Sequence, residues 1–258
     1  KKNIESLNFS LCLLCGGKGK RFQNEGFTSP KPLLPFAGES LAEGAVSAFK
    51  NATWKGAVLS PEISKKVFNQ KLKNFHLIKL DKYTRGQADS AMEILKLAPK
   101  EAPVVLASSD LKISFTFNKF LKNIILNKKD WVIVFLFDEN YPFAIRKPNS
   151  YSWVGYEEDI VKDYSFKSLL TNCDYQAPIC GSFMFSSAKL AKKYIKLVLS
   201  NNLNDQETYI DDVLPILLKD KISTYKVSVD SMNCLGTPEE YLTNFYYRDS
   251  LPKFNSKK

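Results

Sequence analysis

Histidine is nearly absent from this sequence. His76 stands alone among 258 residues, so no pair of imidazoles exists to share a metal or relay a proton. Long apolar runs are missing too: the longest, Trp131 to Phe137, is strand-sized and well short of the roughly 18 residues a membrane helix requires. With no signal-peptide core near the start, the expectation is a soluble, cytoplasmic chain with no membrane partner. The cysteines are five, an odd number, and give no disulfide framework. Cys12 and Cys15 are three apart but fall at the end of an apolar strand rather than in a metal knuckle, so free thiols in a reducing compartment are expected. No internal repeat, low-complexity segment or linker composition cuts the chain.

What is present is the material of a large core. Hydrophobic residues make up 44% and aromatics 13%, which excludes a disordered chain, and the length is enough to bury a core without staples. The net charge of +10 raises the question of nucleic acid. Lysine, however, is spread through helical stretches among Asn and Ile, as on a solvated surface, and only the tail "PKFNSKK" forms a small cluster. A cationic pocket for phosphorylated small molecules fits this charge better than a nucleic-acid surface.

Short apolar runs alternate with helical patterns. Phe9–Cys15, Ala57–Ser60, His76–Leu80, Val104–Ser108 and Trp131–Phe137 are continuous and bounded by turn residues, which predicts strands buried on both faces. Leu41–Lys50, Glu62–Lys73, Ala88–Leu97 and Phe117–Leu126 read as helices between them. After about residue 140 the pattern changes: strands at Phe143–Arg146, Ser152–Glu157 and Gly181–Phe185, an irregular loop at Tyr164–Asp174, helices at Lys189–Leu199 and Ile210–Leu218, a strand at Thr224–Val229 and a last helix at Pro238–Tyr247. The expected fold is a Rossmann-like three-layer α/β/α domain, with a mostly parallel mixed sheet. It is one domain over 1–258, with a nucleotide-binding half to about 140 and an acceptor-binding half from about 141.

The stretch "LLCGGKGKRFQNEGFTSPKPLLPFAG" follows the first strand, at the ligand-binding edge of such a sheet. Its glycines let backbone amides approach an anion. A P-loop spacing is absent, and a dinucleotide fingerprint fails because Phe22 stands where the third glycine belongs. Arg21 offers a planar fork for phosphate oxygens, and Lys31 a point charge held between Pro30 and Pro32, whose rings predict an extended backbone. His76 is expected to be a partly buried structural residue.

Those residues resemble the signature of the sugar-1-phosphate nucleotidylyltransferases, GGxGxR…PKPLxPxxG, at Gly16, Gly17, Gly19, Arg21, Lys31, Pro32, Leu33, Pro35 and Gly38. "GFTSPKPL" is closest to the bacterial capsule and surface-polysaccharide branch, and "RGQADSAMEIL", "VVLASSDLKI", "APICGSFMF" and "MNCLGTPEEYLTNF" follow in family order over nearly the whole chain. The resemblance implies that an NTP and a phosphorylated acceptor (a sugar 1-phosphate, or a small phospho-alcohol or phospho-amine) give an NDP-activated product and pyrophosphate. It implies that Gly16, Gly17, Gly19, Gly86, Gln87 and Ser109 meet the nucleotide, that Arg21 steadies the triphosphate and that Lys31 is catalytic. Asp110 would bind Mg²⁺, while Lys167, Gly181 and Glu207, the last paired with Tyr209, would line the acceptor pocket. Such enzymes often associate, so a homo-oligomer is compatible.

The sequence departs from the pattern at two places. Cys234 stands where the second Mg²⁺ carboxylate is usual, with Asp230 the nearest substitute, and Phe166 stands where a sugar-binding glutamate is usual, with Lys162 a rival to the loosely aligned Lys167. Cys234 gives weight to a second reading, a nucleotide-binding homologue without catalysis that serves as a regulatory or assembly subunit. A glycosyltransferase would expect a DxD motif, and "SSDLK" has a single aspartate.

Overall fold

The computed structural model describes residues 8–201 and 207–247; the basic tail "PKFNSKK" lies outside the described residues. The chain begins with β1 (Ser10–Cys15), then α1 (Lys20–Asn24), a 3₁₀ turn at Lys31–Leu33, the short strands β2 (Pro35–Phe36) and β3 (Glu39–Ser40), and α2 (Leu41–Val46). Strand–helix alternation follows with β4 (Trp54–Leu59), α3 (Lys65–Lys71), β5 (His76–Lys79), α4 (Gln87–Leu95) and β6 (Val104–Ser108). Next come β7 (Leu111–Ser114), α5 (Lys119–Asn127), β8 (Trp131–Leu136), α6 (Pro142–Arg146), β9 (Trp153–Glu157), β10 (Ile160–Ser165) and β11 (Gln176–Phe185). The last elements are α7 (Ala188–Asn201), α8 (Val213–Lys219), β12 (Ser223–Ser228), β13 (Ser231–Cys234) and α9 (Pro238–Tyr247).

Nine strands form one sheet in the order β5-β4-β1-β6-β11-β8-β12-β10-β9. All share one direction except β11 and β10, which pair antiparallel with their neighbours. Alternation along the apolar strands explains why they are continuous. In β1, Leu11, Leu13 and Cys15 enter the core on one face of the sheet, and Cys12 and Leu14 the core on the other. Trp131, Ile133 and Phe135 of β8 alternate with Val132, Val134 and Leu136 in the same way. Helices α2, α3 and α5 supply buried residues to the first core, and α4, α7 and α8 to the second, giving three layers. Because Cys12 and Cys15 point to opposite faces, they cannot share a metal; all five cysteines are free.

Three expectations are revised here, and one element is new. Phe143–Arg146 is helical, within α6, because Pro142 sits in the first turn, where its missing N–H costs nothing. The segment expected to be irregular from Tyr164 begins inside β10, whose Tyr164 and Ser165 pair with β9. An antiparallel ribbon of β7 and β13 was not anticipated; it sets Leu111 opposite Cys234. His76 is exposed on the edge strand β5 and stacks flat on Trp54, with ring centroids 5.1 Å apart. Among the described residues, no helix is long and apolar enough to cross a membrane.

Candidate active site

The carboxyl ends of β1 and β6 lie side by side, in register from Ser10↔Val104 to Leu14↔Ser108. The glycine-rich turn leaves β1 at this edge. Gly19 takes a left-handed conformation (φ 63°) as it starts α1, and a Cβ there would sit 3.5 Å from Cβ of Lys31, so the turn and the lysine are packed together. Phe22 of α1 is buried in a small cluster with Leu34, Phe36, Leu41, Leu235 and Tyr241, which ties the turn to α9. Arg21, next to it, is exposed. Lys31 is not extended as its flanking prolines suggested: it opens the 3₁₀ turn, in which Leu34 N–H donates to Lys31 C=O.

From that turn the Lys31 ammonium reaches Asp110 Oδ2 at 2.5 Å and Gly236 O at 2.6 Å, and lies 5.0 Å from the centre of the Phe22 ring. Asp110 follows β6; Ser108 donates to its Oδ1. Burial alone would push the Asp110 carboxyl up, but the Lys31 charge and the bonds from Lys31 and Ser108 hold it below the ordinary carboxylate range. Ser109 is buried and its side chain bonds to the Cys15 thiol, so it supports the floor of the site. Gly181 lies across from this floor, in β11, with φ 79° at an irregularity in the register with β8, and a Cβ there would meet Ser108 Cβ at 3.7 Å.

These donors do not complete a magnesium site. Among the described residues no three His, Cys, Asp or Glu side chains are grouped to hold a metal ion. Asp110 is a single carboxylate already occupied by an ammonium. Cys234 is buried, and its thiol is pushed far up by burial first, then by Glu240 and Asp110, leaving a neutral sulfur that suits Mg²⁺ poorly. Asp230 is exposed at the far end of the β7–β13 ribbon, accepting from Thr116 at 2.9 Å.

Gly86 precedes α4, and Gln87 is its first residue. Packing alone requires a glycine here: a Cβ would lie 2.2 Å from Thr208 O and 2.6 Å from Thr208 N. Ala88 N–H donates to the same Thr208 carbonyl at 3.2 Å. Gly16 is packed likewise, since a Cβ would meet Ser90 Oγ of α4 at 2.6 Å, whereas Gly17 faces open space. Thr84 links the two regions, donating to Gly86 O at 3.1 Å and bonding to Ser90 Oγ at 2.7 Å.

Thr208 is flanked by Glu207 and Tyr209, which form a second cluster with Lys167. Tyr209 O–H donates to Glu207 at 2.5 Å and is met by Lys167 Nζ at 3.2 Å. The Lys167 ammonium lies over two rings, 4.6 Å from the centre of Tyr209 and 4.9 Å from that of Phe166. Burial and the Glu207 bond push the Tyr209 phenol up, and the charge of the exposed Arg21 of α1 pulls against them. Lys162 of β10 instead pairs with Glu157 of β9 at 3.0 Å. Behind the cluster are two acids that the sequence reading passed over. Asp211 is raised by burial and accepts from Tyr164; Asp212, which accepts from Tyr209 N–H at 2.9 Å, is raised by burial to about 6.

The structure thus brings Gly19, Lys31, Ser109, Asp110 and Gly181 to one place, and Lys167, Glu207 and Tyr209 to another, within reach of the Arg21 charge. No curated protein matches the chain at a significant level. Solved structures do. A nucleoside-diphosphate-sugar pyrophosphorylase from Vibrio cholerae RC9 is 18% identical, with a TM-score of 0.68 over 90% of this chain and 98% of its own. The inositol-1-phosphate CTP transferase from T. maritima is 16% identical, with a TM-score of 0.69 over 91% of each chain. A UDP-glucose pyrophosphorylase complexed with UDP-glucose is 17% identical, with a TM-score of 0.69 over 94% of this chain and 100% of its own. At such identities the likeness is one of fold. The family is shown by the sequence match over residues 11–170, which takes in the glycine turn, Lys31, Gly86, Asp110 and Lys167: the chain belongs to the MobA-like NTP transferase domain family and is a nucleotidyltransferase.

Proposed function

We propose that the protein joins a nucleoside triphosphate to a phosphorylated small-molecule acceptor, making an activated precursor for a capsule or other surface polysaccharide in the cytoplasm. The observation that carries this reading is the convergence of the glycine turn, Lys31 and Asp110 at the carboxyl edge of β1 and β6. An acceptor phosphate oxygen attacks the α-phosphorus, the bond to the bridging oxygen of the β-phosphate breaks, and pyrophosphate leaves with that electron pair. The attacking phosphate is already an anion at neutral pH, so no base is required, which agrees with a chain of one histidine. The requirement is to offset repulsion between anions and stabilise charge developing on the leaving group.

Arg21 and the backbone at Gly16, Gly17 and Gly19 serve the triphosphate, Lys31 the charge at the reacting phosphorus, and Gly86 and Gln87 the base. Lys167, held over two rings, serves the acceptor phosphate, with Glu207 and Gly181 beside the rest of the acceptor. A single domain holds both halves of the site. Magnesium enters this proposal as the counter-ion a triphosphate brings, and no step here depends on it. The neighbours named for inositol 1-phosphate and UDP-glucose support a phosphorylated polyol or sugar as acceptor.

Cys234 at the position of a usual carboxylate favours one rival, a homologue that binds nucleotide without turning it over. Pyrophosphate release across a matrix of the common nucleoside triphosphates and phosphorylated acceptors tests both. The proposal expects one pair to release pyrophosphate in proportion to acceptor consumed. Nucleotide binding with no release in any pair would overturn it in favour of the rival.

A further inference from the structure

Beneath Lys31 lies a carboxylate with no part in the scheme above. Glu240 of α9 is 2% exposed, yet donors surround it. Tyr141 and Tyr151 donate their hydroxyls to Oε1 at 2.8 and 2.6 Å, and Thr237 donates its backbone N–H and its hydroxyl to Oε2 at 3.0 and 2.9 Å. The Cys234 thiol also bonds to it. Glu240 N–H in turn donates to Thr237 Oγ1 at 3.2 Å, so the pair forms a capping box at the start of α9. A cap alone is commonly solvent-facing; this one is buried and anchored by two tyrosines from the segment between β8 and β9.

The Thr237 N–H belongs to the same planar peptide as the Gly236 carbonyl, and that carbonyl accepts from the Lys31 ammonium at 2.6 Å. A carboxylate that fixes and polarises the N–H end of this peptide therefore fixes and strengthens the acceptor at its C=O end. Without it the peptide is free to turn, and Lys31 keeps Asp110 as its remaining acceptor. We infer that Glu240 is a positioning residue for Lys31: it orients the 236–237 peptide so that the ammonium is held between Gly236 O and Asp110, aimed at the reacting phosphates. The catalytic part of this inference rests on the function proposed above; the placement of Lys31 does not.

Glu240→Met removes every acceptor at similar length. Glu240→Gln is the conservative partner, because its carbonyl can take the Thr237 N–H while its amide donates to the phenol oxygens. Two readouts are compared at a temperature where melts show each variant folded: labelling of Lys31 by acetic anhydride, measured by mass spectrometry against the other lysines, and steady-state kinetics with pyrophosphate detection. Expected for Glu240→Met is Lys31 labelling several-fold above wild type and a kcat about ten- to a hundredfold lower with KM for the triphosphate within about threefold, a part of the full effect of losing a transition-state charge partner. Glu240→Gln should return both readouts toward wild type, and in a Lys31→Ala background Glu240→Met should add no further loss. Should Glu240→Met not fold, Glu240→Asp, which draws the carboxylate back from Thr237, should shift both readouts in the same direction. Wild-type labelling or wild-type kcat in the folded variant, or full additivity with Lys31→Ala, overturns the inference. A wild-type protein that releases no pyrophosphate with any pair overturns the proposed function instead, while the labelling still decides the placement of Lys31.

Discussion

Lys31 and Asp110 form a pair 2.5 Å apart, part-buried, at the edge where the glycine turn leaves the sheet. If Lys31 acts on charge that develops in the transition state, its removal should reduce turnover far more than binding. Lys31→Ala is expected to lower kcat by about 10²–10³ while triphosphate affinity, measured by calorimetry, changes by less than about tenfold. Equal losses in both would make it an ordinary binding residue. Asp212 gives a second test at this scale. Its carboxyl is raised to about 6 by burial, although Tyr209 N–H and Lys167 pull it down. The unfolded chain releases that proton near pH 4 while the folded chain keeps it to about pH 6, so between these values the unfolded state binds fewer protons. The native state therefore loses stability from this group as pH rises through the window. Asp212→Asn should match wild type in urea unfolding near pH 4 and exceed it above pH 6. A difference that does not vary with pH would refute the assignment.

The element that joins the two halves of the site is the segment from Glu207 to Asp212, docked on the start of α4. Its closest approach is at Gly86, where a methyl group would overlap the Thr208 backbone. Gly86→Ala should push Thr208 away and displace Tyr209, and with it Lys167, from the acceptor side. The expected result is a KM for the acceptor raised about tenfold, an overpacking effect of about 1–3 kcal/mol, with a smaller change in KM for the triphosphate. A larger change for the triphosphate would mean that the overlap with Thr208 is not passed on to Tyr209 and Lys167. This contact also shows what a sequence can and cannot disclose. A glycine before a helix was visible as a glycine, and its partner, more than a hundred residues away, was not. Lys31 was legible through its spacing from Arg21, but its turn was misjudged because local proline sterics suggest an extended chain and the pull of Asp110 and Gly236 is non-local. Phe143–Arg146 was misread for a related reason: an apolar run of four carries no period, and Pro142 was the only local sign of a helix start.

For the molecule as a whole, the three-layer architecture was readable because continuous apolar runs such as Trp131–Leu136, short, rich in β-branched and aromatic residues and bounded by turn residues, suit strands with a core on each face. The ribbon of β7 and β13 was not, since Leu111–Ser114 and Ser231–Cys234 are short and of mixed polarity, and it is this ribbon that sets Cys234 and Gly236 beside Asp110. Glu240 was overlooked although "TPEE" carries the spacing of a capping box, because nothing in the sequence tells that the cap is buried against Tyr141 and Tyr151. The central claim concerns the whole front edge of the sheet, that its cationic groups gather a triphosphate and an acceptor phosphate around one phosphorus atom. The most direct measurement is a crystal structure with a non-hydrolysable nucleoside triphosphate bound. The account predicts phosphate oxygens within hydrogen-bonding reach of Arg21, Lys31 and the backbone at Gly17 and Gly19, with the α-phosphorus open toward Lys167. A nucleotide bound elsewhere, with Arg21 and Lys31 facing solvent, would contradict it.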